Sequence, residues 1–393
     1  MNSIMSEVVL LLLLGFGNAA DGSPVYEAEL LAPLEKMHHH APGIVECSNG
    51  DLLVSWYRGK GERDSDDVQV VGSRRRKGST TWEKAFVMAD VPGFPDCNTC
   101  MMIDRQDRLW LFWPVIIANS WESCITNYRI STNYTADGPP KWDWQGTILL
   151  KPDKLKDQMT AAYQQRMKET GPIDADRRAR LDRMVEKSGE KLYQRLGWQP
   201  RCKPTVLPSG RILFPLYTDT FSACIMAISD DQGETWYASD PIIGFGNIQA
   251  SVLRRNDGTL VAYMRNNAQP KRIRVSESKD DGLTWSAVTS SDLLNPGAGV
   301  DGVRLENGDW VMVYNDLERG RNQLAVSISD DEGKTWKWTR HLEKEEKGSY
   351  HYPVVIQGRD GMIHAVYSYS NQGEGMKHAA FNEAWVKEPP AGE

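Results

Sequence analysis

Apolar and polar positions along this chain alternate in blocks that return about every fifty residues. Six times an apolar run of strand length meets a short polar turn and then a second apolar run. The copies are residues 44–56, 101–113, 205–214, 251–263, 303–314 and 354–367. The turns hold Asn49-Gly50, Ser209-Gly210, Asp257-Gly258, Asn307-Gly308 and Asp360-Gly361, with Asp107 marking the second copy. Asn-Gly and Asp-Gly between apolar runs predict hairpins with both central turn residues at positive φ.

A second pattern runs in phase with the first. Ser-x-Asp-x-Gly-x-Thr-Trp occurs as Ser229 to Trp236, Ser278 to Trp285 and Ser329 to Trp336. The tryptophans stand 49 and 51 residues apart, and Trp385 lies a further 49 on. Trp142 precedes Trp236 by 94, an excess that the 45-residue stretch 153–197 accounts for; Trp82 lies 60 before Trp142. That stretch is rich in helix formers on both sides of Gly171-Pro172, with Asp174 near the second N-terminus, where a carboxylate suits the helix dipole. Four strands per unit in six units predict an all-β fold: a six-bladed β-propeller with a helical hairpin inserted at 153–197, between blades two and three. Residues 21–393 read as one propeller domain, and the segment 26–31 as an outer strand closing the last blade onto the first.

The box residues serve the fold: each box is a turn stitched by a carboxylate, with an indole packed between blades. Boxes and hairpin turns share one face of the ring, so chemistry belongs to the other. Leads into the first strands bring His38, His39, His40, Asp96, Asn98, Arg201, Lys203, Gln249, Asp301, Tyr350 and Tyr352 there. Links from second to third strands bring Arg58, Glu62, Asp64, Asp66, Asp67, Asp219, Arg265, Asn266 and Arg321. Loops on a rigid scaffold are where binding and catalysis concentrate.

The boxes resemble the Asp-box (BNR) repeats of sialidases, and the resemblance covers residues 37–385 apart from the insertion. It implies a secreted glycosidase acting on a terminal acidic sugar of a glycan. Where sialidases open blade one with Arg-Ile-Pro, this chain has His40-Ala41-Pro42. Their acid/base aspartate matches Asp67, with Asp64 and Asp66 beside it. Their second and third carboxylate-binding arginines match Arg265 and Arg321, with Arg319 as the alternative to Arg321. Their glutamate matches Gln249, and their nucleophilic tyrosine matches Tyr352, with Tyr350 nearby. The implied catalytic set is thus Asp67, Tyr352, His40 and Gln249. The substrate contacts are Arg265, Arg321, Arg58, Glu62, Asp96, Arg201, Lys203, Asn266, Asp301 and Tyr350. An amide cannot take a proton from a phenol as a glutamate does, and the missing first arginine loosens a bidentate grip on a carboxylate. Two alternatives therefore stand beside the hydrolase: a uronic-acid lyase in which His40 or Tyr352 removes the C5 proton, and a glycan-binding propeller without catalysis.

Charge and cysteines narrow the picture. A net charge of −7 argues against nucleic acid or an anionic membrane as partner. The apolar run 8–16, followed by small residues at 17–20, predicts a signal peptide over 1–20 and a secreted or periplasmic location. Beyond it no apolar run is long enough to span a membrane. Cys97 and Cys100 have zinc-like spacing but no second pair of Cys or His, so no metal or other cofactor is expected. Oligomeric state is not set by the sequence.

Overall fold

The computed structural model describes residues 22–170 and 173–388; the expected signal peptide lies outside them. Six antiparallel sheets form the ring. Blade one is His38–Glu46, Leu52–Gly59, Gln69–Arg75 and Phe86–Ala89, and blade two is Cys100–Ile103, Leu109–Ile116, Cys124–Ser131 and Trp144–Thr147. In blade three the inner position is shared by Gln199–Pro200 and Thr205–Val206, followed by Ile212–Thr218 and Ala223–Ser229. Tyr237–Ala238 and Ile242–Ile243 share its outer position. Blades four and five each have four strands, starting with Asn247–Arg254 and Asp301–Arg304. Blade six takes Ser349–Gln357, Ile363–Ser370 and Glu374–Phe381 from the C-terminal end and its outer strand, Tyr26–Leu30, from the other end of the chain. Tyr26 pairs with Phe381 and Leu30 with Lys377, so this blade fastens the ring.

The hairpins are where expected, but their turns differ in type. Only one residue per turn has positive φ: Gly50, Asp107, Gly210, Gly258, Gly308 and Gly361. Each donates its N–H to the carbonyl three residues back, for example Gly50 to Cys47 at 2.8 Å and Gly308 to Leu305 at 3.0 Å. This is a type I turn closed by a left-handed residue, a longer hairpin loop than the two-residue form. Blade two does the same with Asp107, a residue type that tolerates the left-handed region.

The boxes stitch the turns that leave the third strands. Asp331 accepts from Ser329 Oγ at 2.8 Å, Thr335 N at 2.8 Å and Thr335 Oγ1 at 2.6 Å. Gly233 has φ +93°, and a Cβ there would lie 2.2 Å from the Trp110 ring, so only glycine fits. The Trp236 indole meets Trp110 of blade two and Phe214 of blade three. Trp385 keeps the period but no box: it lies on a short helix, Glu383–Lys387, and stacks on Tyr26 with ring centroids 4.3 Å apart.

The insertion forms α1 (Leu155–Thr170), α2 (Ala175–Ser188) and α3 (Lys191–Arg195). Asp174 caps α2 by accepting from Arg177 N at 2.8 Å. Leu155 and Met159 are buried in the core shared by blades two and three. The far end of the insertion braces the turn Trp121–Ser123: Lys187 lies 3.4 Å from Glu122, and Gly197 N donates to Cys124 O at 3.0 Å. All six cysteines are buried and unpaired.

Candidate active site

A pocket of about 250 Å³ opens on the face opposite the boxes. It is lined by His40, Tyr57, Glu62, Asn98, Trp121, Tyr217, Asp219, Gln249, Arg265, Arg321 and Tyr352. Irregularities in the innermost strands deliver several of these. In blade one, His40 pairs with Tyr57 and Gly43 with Ser55, so Ala41 and Pro42 together oppose Trp56. In blade six, His351 pairs with Ser368 and Val354 with Val366, so Tyr352 and Pro353 together oppose Tyr367. In blade four, Gln249 is the extra residue between Ile248 and Ala250. The bulged residues are left-handed: Ala41 at φ 50°, Gln249 at 59° and Tyr352 at 47°. A bulge re-aims a side chain, and backbone strain of this kind is held where the surroundings over-determine it.

Tyr352 is the centre of the arrangement. Its hydroxyl oxygen accepts from Arg265 Nη1 at 2.9 Å and from Gln249 Nε2 at 3.1 Å. The Arg201 guanidinium lies over its ring, 5.0 Å from the centroid, and the His40 ring is 4.2 Å away centroid to centroid. Arg201 is buried and donates to Pro353 O at 2.6 Å; its Nε and Nη1 have no partner. Gln249 Nε2 also reaches the Tyr217 hydroxyl at 3.0 Å. Arg321 is anchored by Gly297 O at 2.9 Å and by His351 Nδ1. A guanidinium can only donate, so His351 Nδ1 accepts and that ring is neutral.

The imidazoles here are neutral bases. Burial, then the neighbouring His351 and His38 imidazoles and the Arg321 guanidinium, hold His40 well below the usual histidine range. Burial and Arg321 take His351 down to about 3. The two carboxyls diverge. Burial works upward on Glu62, but bonds from His38 and Tyr57 outweigh it and keep its pKa low. Tyr57 donates to Glu62 at 2.8 Å, and His38 Nε2 stands 3.3 Å from the same oxygen. Burial raises Asp219, against the pull of Arg265 and Arg63, although the residue stays open to the solvent of the pocket. Carboxyls set apart in this way suit different roles in acid–base chemistry.

The pocket thus gathers His40, Gln249, Tyr352, Arg265, Arg321 and Glu62 from the expected residues, with Arg201 beneath Tyr352. Other expected residues stand outside the lining. Asp67 is exposed outside the lining and accepts from Ser65 at 2.5 Å and Lys60 N at 3.3 Å, so it ties its own loop. Arg58 is spent on a two-pronged bond to Glu35 at 2.6 and 2.7 Å. Asp96 is buried, accepting from Val91 N at 2.6 Å and Trp113 at 2.7 Å. Lys203 and Asp301 pair with each other at 2.6 Å, and Asp301 also holds Ser251 at 2.7 Å and Val355 N at 2.9 Å. Asn266 shapes its own loop through Pro270 and Ala268, and Tyr350 is packed in the core of blades five and six.

Tyr57, Trp121 and Tyr217 were not expected; the two tyrosines end apolar runs and read as core. Asn98 and Asp219 were visible only as residues of the mouth loops. His351 had a signal: His351-Tyr352-Pro353 repeats His40-Ala41-Pro42 at the equivalent bulge. Among the described residues no cluster of His, Cys, Asp and Glu is arranged to hold a metal.

Comparison with known proteins agrees with this fold. A BNR repeat-like domain model matches residues 199–365. The fold aligns with the NanB sialidase of Streptococcus pneumoniae at TM-score 0.66 and 12% identity, covering 91% of this chain and 71% of that one. The fold is a six-bladed propeller like that of sialidases, with a BNR repeat-like region over residues 199–365. A protein of unknown function from Dyadobacter fermentans matches the propeller at TM-score 0.68 and 16% identity, over 91% of this chain and 98% of its own. In sequence, a sialidase of Micromonospora viridifaciens is 26% identical over 172 residues, 41% of the propeller chain. That match spans 26% of the relative's length.

Proposed function

We propose that this propeller is a glycosidase that removes a terminal sugar acid from a glycan. The observation that carries the reading is the Tyr352 hydroxyl in the pocket, bonded by Arg265 at 2.9 Å with Arg321 lining the same cavity. The two guanidiniums hold the substrate carboxylate. Tyr352 attacks the anomeric carbon as the glycosidic bond breaks and its phenol proton passes to pocket water, while Arg265, Gln249 and the cation under the ring favour negative charge on its oxygen. A tyrosine nucleophile is a known departure from the two-carboxylate scheme. Glu62 and Asp219 supply acid–base function at the leaving oxygen and the attacking water. The apolar run at 8–16 supports an exported enzyme.

The test is release of fluorophore from aryl glycosides of sugar acids, beside Tyr352→Phe. Release that the variant loses by about a thousandfold supports the reading. Release that survives undiminished removes Tyr352 from the mechanism, and no release from any sugar acid sinks the glycosidase.

One observation favours a second reading. His40 carries no proton to spare and its ring lies tilted 4.2 Å from that of Tyr352, which places a proton acceptor for removal of the C5 proton of a uronic acid and expulsion of the 4-linked oxygen. Such a lyase creates a double bond, and ultraviolet absorbance of the product distinguishes it from hydrolysis.

A further inference from the structure

The pocket lining carries the cations Arg265 and Arg321 together with Glu62, and a polar wall of Asn98 and Asp219 joined through Gln199. Not one lining side chain is aliphatic. The one indole, Trp121, has a face covered by the Arg63 guanidinium, 5.4 Å from the ring centroid, and is itself packed beside the cluster of Cys97, Ile116 and Cys124. An acylamino substituent brings a methyl group that gains by leaving water only where apolar atoms receive it. Beside Asn98 and Asp219 that methyl would strip hydration from an amide and a carboxylate. A hydroxyl can donate to the acceptors this wall offers, the Asp219 carboxylate and the Asn98 carbonyl. Asp219 has one carboxylate oxygen bonded by Gln199 Nε2 at 3.1 Å. Asn98 is fixed by Gln199 at 2.8 Å and Tyr217 at 3.2 Å, so the wall is pre-set.

Resting on the reading of the pocket as a sugar-acid site, we infer that its ligand is a polyhydroxylated sugar acid without an N-acyl group, a uronic acid or a 5-hydroxy ulosonic acid, with Asp219 and Asn98 reading its hydroxyls.

Direct binding separates this inference from the activity. Glucuronate, a free 5-hydroxy nonulosonic acid and its 5-acetamido counterpart are titrated into the purified full chain by calorimetry. A hydroxylated acid is expected to bind about tenfold or more tightly than the acetamido acid, the scale on which a site separates ligands by one group. Asp219→Leu, which places aliphatic surface on the wall, is expected to move that ratio about tenfold toward the acetamido acid. Equal or tighter binding of the acetamido acid by the wild-type chain overturns the inference and leaves the sugar-acid reading standing. Failure of all three acids to bind at millimolar concentration overturns both.

Discussion

Gln249 Nε2 donates to the hydroxyl oxygen of Tyr352 at 3.1 Å, the same oxygen that Arg265 reaches at 2.9 Å. The phenol therefore sits between two donors, with no carboxylate bonded to it. Charge on that oxygen is supported by donors and a guanidinium rather than by a base that has removed its proton. Replacing the amide with an apolar side chain of similar size, Gln249→Leu, is expected to lower kcat by about ten- to a hundredfold while KM changes little, because the lost bond matters most when charge develops. Steady-state kinetics on an aryl glycoside of a sugar acid checks this. A change confined to KM would place Gln249 in binding alone.

Arg265 and Arg321 are expected to act on the substrate carboxylate before and during reaction. Arg321→Met should raise KM about 10- to 100-fold, the scale of roughly 1.5–3 kcal/mol for a charged hydrogen bond. Arg265→Met should also lower kcat, since Arg265 touches Tyr352. A neutral amide analogue of the substrate should be bound equally by the wild type and Arg321→Met. Loss of its binding in the variant would mean that Arg321 holds the pocket's shape instead.

Glu62 and Asp67 stand five residues apart in one loop, but only Glu62 lines the pocket. Glu62→Gln is expected to reduce kcat by about a hundredfold or more, in the range of lost acid–base catalysis. Asp67→Ala should leave kcat within about twofold, because its carboxylate bonds to Ser65 and Lys60. Side-by-side rates decide it: a severe loss in Asp67→Ala with Glu62→Gln active would return the role to Asp67.

Acid should destabilise the propeller through its buried histidines. Burial lowers His40, His364 and His378 below the ordinary value near 6.5. Below that value the unfolded chain takes up protons that the folded chain refuses. Stability is thus complete above the unfolded pKa and falls as pH drops toward the folded ones, by up to about 1.4 kcal/mol per pH unit for each group. Asp96, raised by burial to about 7, acts in the opposite sense and loses its contribution as pH rises through that value. His39 and His351 are lowered likewise and Asp219 is raised, so five groups outweigh two and urea midpoints should fall between about pH 6.5 and pH 5. A flat or rising midpoint across that interval would refute the balance.

The ring was legible in the sequence because turn chemistry is local. A glycine three residues past the start of nearly every hairpin turn, and a Ser-Asp-Gly-Thr-Trp box, repeat whatever lies between them. His40, Gln249, Arg265, Arg321 and Tyr352 came from the resemblance to sialidase motifs, and all five line the pocket. Loops lack such a period. Asp67, Asp96 and Asp301 looked like site carboxylates, yet each is consumed by nearby donors, and a sequence does not show which oxygens are already taken. Tyr57 and Tyr217 were hidden in the other direction, as the last aromatic residues of apolar strands. Their turn toward the pocket depends on pairing across the sheet.

The pairing of Tyr26–Leu30 with Glu374–Phe381 also sets when this molecule can work. Its two halves come from opposite ends of the chain, so the loop between them is almost the whole protein, and such distant contacts form late and slowly. The pocket draws side chains from every blade, from His40 in the first to Tyr352 in the sixth. A nascent chain that has made five blades still lacks the tyrosine and the fastening, and holds only part of a cavity. Competence therefore arrives in one step, with the last strand, and a chain truncated at either end should be inert rather than partly active.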